Sequence, residues 1–174
     1  MIASFIPIEQ CFNETLAWLE SHYWDQPFYV ERDIVWTIQL KLARRIKEAG
    51  AHYRVFNDYP MIPGPRRSLS ADIAVVDNSG IVELAVEFKF EPSHRRTDIS
   101  PGKFPVVFWG IDGVAKDILR IREFVELRKA KVAIALFIDE GGYFARRPPH
   151  PESEWRTWAQ DAFLLYARAD IADT

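Results

Sequence analysis

Residues 132–138, Val-Ala-Ile-Ala-Leu-Phe-Ile, form an unbroken apolar run. A half-solvated strand alternates polar and apolar side chains, and a helix exposed on one side spaces them by three and four. A short, uniform run implies instead a strand covered on both faces, over about 131–138. Before it, Val114, Ile118, Ile121 and Val125 make a helical stripe over 113–129, with Asp112 placed to cap it. A helix of that length between two strands is the crossover that parallel pairing requires. The fold class expected is α/β, with a mixed sheet flanked by helices.

The partner strand is Val82 to Phe90, which alternates with period two. Val82, Leu84, Val86, Phe88 and Phe90 face one way; Glu83, Ala85, Glu87 and Lys89 face the other. A strand at 70–77 precedes it, and Asp77-Asn78-Ser79-Gly80 reads as the hairpin turn between them. A further strand is expected at 52–57, then a Pro/Gly-rich loop over 58–68. Ile34, Val35, Ile38, Leu42 and Ile46 mark a helix over 30–49, stopped by Gly50. Phe12, Leu16 and Leu19 mark another over 7–23. Trp155, Trp158, Ala162 and Leu165 give a last helix over 152–169. The segment 91–112 is long for a loop, and loops of that length are uncommon unless functional or disordered; Phe104 and Val106 to Trp109 form a short strand there or pack beneath the loop. Asp139-Glu140-Gly141-Gly142 turns the chain. The core order over 30–139 is therefore α-β-β-β-α-β, with a helix added at each end of one domain, 1–174.

Composition removes several function classes. Cys11 is the only cysteine, which excludes an internal disulfide and fits a reducing, cytoplasmic setting. No stretch reaches the roughly 20 apolar residues of a membrane span, and Pro7 and Glu9 interrupt the N-terminal run. The net charge of −3 gives no global basic field, so any nucleic-acid contact must be local.

The chemistry lies in four side chains. Folding 70–77 back on 82–90 brings Asp72 and Glu87 to the same end of neighbouring strands, with Lys89 two residues on. An Asp, a Glu and a Lys converging there make a divalent-metal site with a cation beside it. Glu31 falls three and four residues before Ile34 and Val35, on the apolar stripe of its helix. It either complements the helix dipole or points inward at that site. The alternative for the whole cluster is a solvated strand face.

Element order, Asp72, and Glu87-Phe88-Lys89 as an E-x-K element together resemble the PD-(D/E)xK nuclease superfamily, the restriction-endonuclease-like fold. Glu31 matches the helix carboxylate that many members carry. Ala71 stands where some members have proline, and no Q-x-x-x-Y motif follows the E-x-K. The resemblance implies phosphodiester hydrolysis of nucleic acid, with DNA expected ahead of RNA. It also implies a Mg²⁺ or Mn²⁺ cofactor held by Asp72, Glu87 and Glu31, with all four residues catalytic. A homodimer is compatible with cutting a duplex. Arg66 and Arg67, which precede Asp72, are the expected phosphate contacts, with Arg95 and Arg96 after Lys89 and Lys116 and Arg120 on the crossover helix. The alternative is a non-catalytic member of the fold that binds nucleic acid or protein.

Overall fold

The computed structural model describes residues 8–98 and 107–171. Phe104 and Val106 lie outside them. Helix α1 spans Ile8–Ser21 and α2 Glu31–Glu48, separated by a 3₁₀ turn at Tyr23–Asp25. Strands β1 Arg54–Ile62, β2 Leu69–Val76 and β3 Val82–Glu91 follow, then α3 Val114–Glu126, β4 Val132–Glu140, β5 Ser153–Thr157 and β6 Ala162–Asp170. The six strands form one mixed sheet in the order β1-β2-β3-β4-β6-β5. Only β3 and β4 pair in parallel, and α3 is the crossover between them.

Helix α2 is defined at both ends by local chemistry. Asp33 Oδ2 accepts the Tyr29 and Val30 N–H groups at 2.8 and 2.9 Å, satisfying donors at the helix start. At the other end Gly50 adopts φ +70°. Its N–H donates to Lys47 and that of Ala51 to Ile46, a Schellman closure that favours glycine.

Alternation along the strands sorts two cores. Leu84, Val86, Phe88 and Phe90 of β3, with Ile134, Leu136 and Ile138 of β4, pack under α1 and α2. Ala85, Ala133, Ala135 and Phe137 belong to the opposite core, with Ile118, Ile121 and Phe124 of α3. Each Ile, Leu or Phe so buried contributes about 1.5–3 kcal/mol. The alanines leave room for α3 to lie close to the sheet. Glu87 and Lys89 alternate with the first set, so they emerge on the α3 side.

Four expectations need correction. The segment 152–169 is not a helix but the β5–β6 hairpin, turned at Trp158–Asp161, with Asp161 at φ +57°. Its aromatic spacing fits a helix, but Ala162 to Ala167 is an apolar run like that of β4. Ala162 and Leu164 are buried on one face, Leu165 and Ala167 on the other. Strand β1 continues through Pro60 to Ile62, into the expected loop; as an edge strand it has no second neighbour needing the missing N–H. Asp112 is exposed and does not cap α3; Gly113 is the N-cap, and no side chain caps there. A Cβ on Gly113 would fall 1.8 Å from Phe108 O, so only glycine fits. Finally, Asp139 and Glu140 end β4 rather than forming a turn, and both are buried. Val107 to Trp109 form no strand; Val107 and Trp109 pack into the α3-side core. Among the described residues no helix is long and apolar enough to cross a membrane.

Candidate active site

The β2–β3 hairpin sets the first pair. Ile73 is registered with Val86, so one step further along the antiparallel ladder puts Asp72 opposite Glu87. The Phe88 N–H donates to Asp72 Oδ2 at 2.7 Å, which fixes that carboxylate across the strands. Lys89, two residues past Glu87, places Nζ 3.5 Å from Glu31 Oε2 at the start of α2. Glu31 thus meets Lys89 on one side and solvent on the other. Lys89 also donates to Phe88 O at 2.8 Å.

The crossover helix supplies the rest. Asp117 lies 4% exposed, with Oδ2 3.2 Å from Lys89 Nζ. That approach is an ion pair without hydrogen-bond alignment, since Asp117 Oδ2 has no hydrogen-bond partner. Arg120, one turn on, donates from Nη1 to Glu87 Oε2 at 2.7 Å and lies 3.5 Å from Asp117 Oδ1. Lys89 is thus held between a carboxylate of α2 and one of α3, and Glu87 is backed by a guanidinium. Glu87 Oε1 is buried with no hydrogen-bond partner.

Asp117 is the member that sequence reasoning missed. It stands three residues after Val114 and four before Ile121, on the apolar stripe of its helix. That is the criterion that singled out Glu31.

Burial dominates the electrostatics. Desolvation pushes the Glu87 carboxyl well above its ordinary value, and Asp72 adds to this; Arg120 opposes without reversing it. Desolvation likewise raises Asp72, against the Phe88 N–H and Lys89. It raises Glu31 to about 7, with Asp72 and Asp117 adding and Lys89 opposing. For Lys89, desolvation disfavours the charge, but Asp117, Glu31 and Asp72 together outweigh it and the ammonium is held more firmly than usual. The arrangement keeps a cation while straining to ionise three carboxyls.

Such a donor set suits a hard divalent cation, being all oxygen and including the unpartnered Glu87 Oε1. Asp72, Glu87 and Glu31 are the residues that would hold it. Among the described residues, however, no three His, Cys, Asp or Glu side chains are gathered in a ligating arrangement.

The residues expected at phosphates fall into two groups. Arg66 and Arg67, in the β1–β2 loop, Arg95 after β3, and Lys116 on α3 are exposed. Arg96 instead donates to Asp98 and to Phe28 O, and lies 3.5 Å from Glu140; Arg120 turns inward to Glu87. A cleft of about 420 Å³ opens beside the cluster, between the start of α2 and β1–β2, with Glu31 and Asp72 in its wall. No family model matches the chain, and no curated protein or solved structure matches it significantly.

Proposed function

We propose that the chain is a metal-dependent nuclease with a restriction-endonuclease-like fold of the PD-(D/E)xK superfamily, hydrolysing phosphodiesters of nucleic acid. The observation that carries this reading is the meeting of Asp72, Glu87 and Lys89 with the carboxylates of half-buried Glu31 and buried Asp117 from two helices, one oxygen of Glu87 being left without a donor among the described residues. A packing role accounts poorly for it, because an unpaired buried carboxylate oxygen destabilises a fold that gains nothing from it. The parallel β3–β4 pair bridged by α3 supports the fold assignment.

A Mg²⁺ or Mn²⁺ ion at Asp72, Glu87 and Glu31 would supply charge neutralisation and an activated water. The protein groups divide the remaining work. Arg120 holds Glu87 Oε2 and leaves the buried Oε1 as the oxygen without a hydrogen-bond partner among the described residues. The Phe88 N–H keeps Asp72 in place. Lys89 stays charged and is steadied by Glu31 and Asp117, so it can stabilise the negative charge that builds on the attacked phosphate. Arg66, Arg67, Arg95 and Lys116 are the side chains open to phosphates of the flanking strand.

The second reading is a non-catalytic binder of nucleic acid or protein on the same fold. Its support is that Lys89 and Arg120 already neutralise the carboxylates without a metal. Calorimetric titration with Mn²⁺, beside a cleavage assay on labelled DNA and RNA, separates the two. Asp72→Asn is expected to abolish or greatly weaken metal binding. Lys89→Ala is expected to keep or strengthen it, yet to lower cleavage by about 10² or more. Equal metal binding by the native protein and Asp72→Asn sinks the site; metal binding without cleavage favours the second reading.

A further inference from the structure

The cleft beside Glu31 and Asp72 is not lined by the charge cluster alone. Trp36, one turn and a third past Glu31 on α2, is 53% exposed at its wall. At 1.5 Å per residue its Cα stands about 7.5 Å along the helix axis from that of Glu31, and both side chains line the same cleft. Arg32 lies over the same ring, its guanidinium carbon 5.8 Å from the centroid. Across the cleft is β1, with Asn57 and Asp58 in the wall. Asn57 donates from Nδ2 to Gln39 Oε1 at 2.7 Å, and Gln39 Nε2 donates to Val55 O, which fixes both amides. Asn57 Oδ1 is left buried with no donor. Asp58 is exposed and holds φ +48° opposite Asp72.

An exposed indole with a cation over its ring, in a cleft whose wall also holds Glu31, Asp58 and Asp72, does not suit a phosphate, which the acidic wall would repel. It suits the flat, amino-bearing ring of a nucleobase. Stacking on an aromatic side chain contributes about 1–3 kcal/mol per base and needs only a free π-face. Carboxylate and amide oxygens accept from exocyclic amino groups, and Arg32 is placed for the neighbouring phosphate. A base inside a duplex has no free face, so only an unpaired or extruded nucleotide can lie on Trp36.

We infer that the Trp36 cleft is a base-stacking subsite, and that the substrate presents an unpaired nucleotide next to the phosphate engaged by Asp72, Glu87 and Lys89. This inference rests on the nuclease reading for the adjoining phosphate and extends it to a substrate class, nucleic acid that is single-stranded at the cut.

The test compares binding and cleavage. Binding of a fluorescent single-stranded hexamer of deoxyadenosine and deoxycytidine, and of a blunt duplex, is measured by anisotropy with Mg²⁺ present. The proteins are Lys89→Ala and its double variants with Trp36→Ala and Trp36→Phe. Trp36→Ala is expected to raise the Kd for the hexamer about tenfold, Trp36→Phe to restore most of the affinity, and neither to move the duplex Kd beyond about twofold. Cleavage of the same two substrates is followed with Lys89 intact, and the hexamer is expected to be cut faster. Unchanged hexamer affinity in Trp36→Ala, or equal loss for hexamer and duplex, overturns the subsite; if the native protein still cuts the duplex, the nuclease reading survives that result. Trp36-dependent hexamer binding with no cleavage of either substrate supports the subsite and removes the nuclease reading.

Discussion

Glu91 ends β3, the strand that carries Glu87, and Asp139 and Glu140 end its parallel neighbour β4; all three are about as deeply buried as Glu87. Their surroundings are nevertheless complete. Asp139 accepts three N–H groups, from Tyr143, Phe144 and Ala145. Glu140 accepts Tyr23 Oη and the Ser93 N–H, with Arg96 close by. Glu91 accepts the Val107 N–H and meets His94 Nε2 at 2.6 Å. In the Glu87 cluster one oxygen of Glu87 lacks a hydrogen bond among the described residues, and four carboxyls crowd round one ammonium and one guanidinium. The strand-end trio ties loops to the sheet with acceptors matched to donors. The Glu87 cluster carries acceptor capacity that folding does not use. Buried acid alone therefore does not mark a site; unused acceptor capacity around a retained cation does.

The sharpest way to break this contrast is to remove one carboxylate from each set. Asp139→Ala strips the acceptor from three N–H groups and leaves Phe144 N–H buried without a partner. A loss of about 3–4 kcal/mol is expected, or roughly 10 °C in Tm for a chain of this size. Glu87→Gln is expected to cost far less, because the amide oxygen can still accept from Arg120 while the desolvated carboxyl, whose Oε1 has no donor to lose among the described residues, is removed. Cleavage should disappear in the second protein only, once both are assayed well below their Tm. Equal destabilisation in thermal unfolding would return Glu87 to the structural class.

Asp117 gives a smaller effect and a finer division. Asp117→Asn keeps the shape but withdraws one of the two carboxylates that steady Lys89, and one partner of Arg120. Cleavage is expected to fall about tenfold, on the order of 1.4 kcal/mol, with Mn²⁺ affinity nearly unchanged. The alkaline limb of the pH–rate profile should move down as well, since Lys89 loses the first of the carboxylates that hold its proton. A merely structural Asp117 would lower Tm and leave that limb where it was.

The parts legible in the sequence were those written in local patterns. The run 132–138 and the stripe of α3 announced the parallel pair, because burial on two faces leaves no polar alternation. The hairpin turn at Asp77–Gly80 is legible, but the register that puts Asp72 opposite Glu87 also needs the one-residue shift between Val75 and Val76, which no turn motif encodes. The β5–β6 hairpin was missed because Trp155, Trp158, Ala162 and Leu165 follow three-and-four spacing although they come from two strands and the turn between them. Only the run Ala162–Ala167 tells strand from helix. Pro60 disguised the end of β1, since proline is excluded from central strands but not from an edge. The strand-end trio was illegible for another reason. Asp139 is recognised by donors four to six residues on, and Glu140 by Tyr23 from the other end of the chain, pairings that no short motif encodes.

Glu31 offers the last test, and the smallest effect. Its carboxyl is raised from 4.5 to about 7, first by desolvation and then by Asp72 and Asp117, against Lys89. A group whose pKa rises on folding favours the folded state while it is protonated in both states. That contribution is complete below about pH 4.5, and it is lost as the pH climbs through 7. Metal-free protein should therefore lose stability between about pH 5 and 7.5, and Glu31→Gln, which is never charged, should lose less over the same window. About a third of the Glu31 side chain meets solvent, 34%, so screening reduces the difference to about 1 kcal/mol. Asp72 and Glu87 are raised too and slope the same way in both proteins, so the difference between the two curves isolates Glu31. Urea unfolding of each at pH 5, 6, 7 and 8 gives that difference directly. Parallel curves would place Glu31 with carboxylates that fold at no cost, beside Asp33 in its capping role and not beside Glu87.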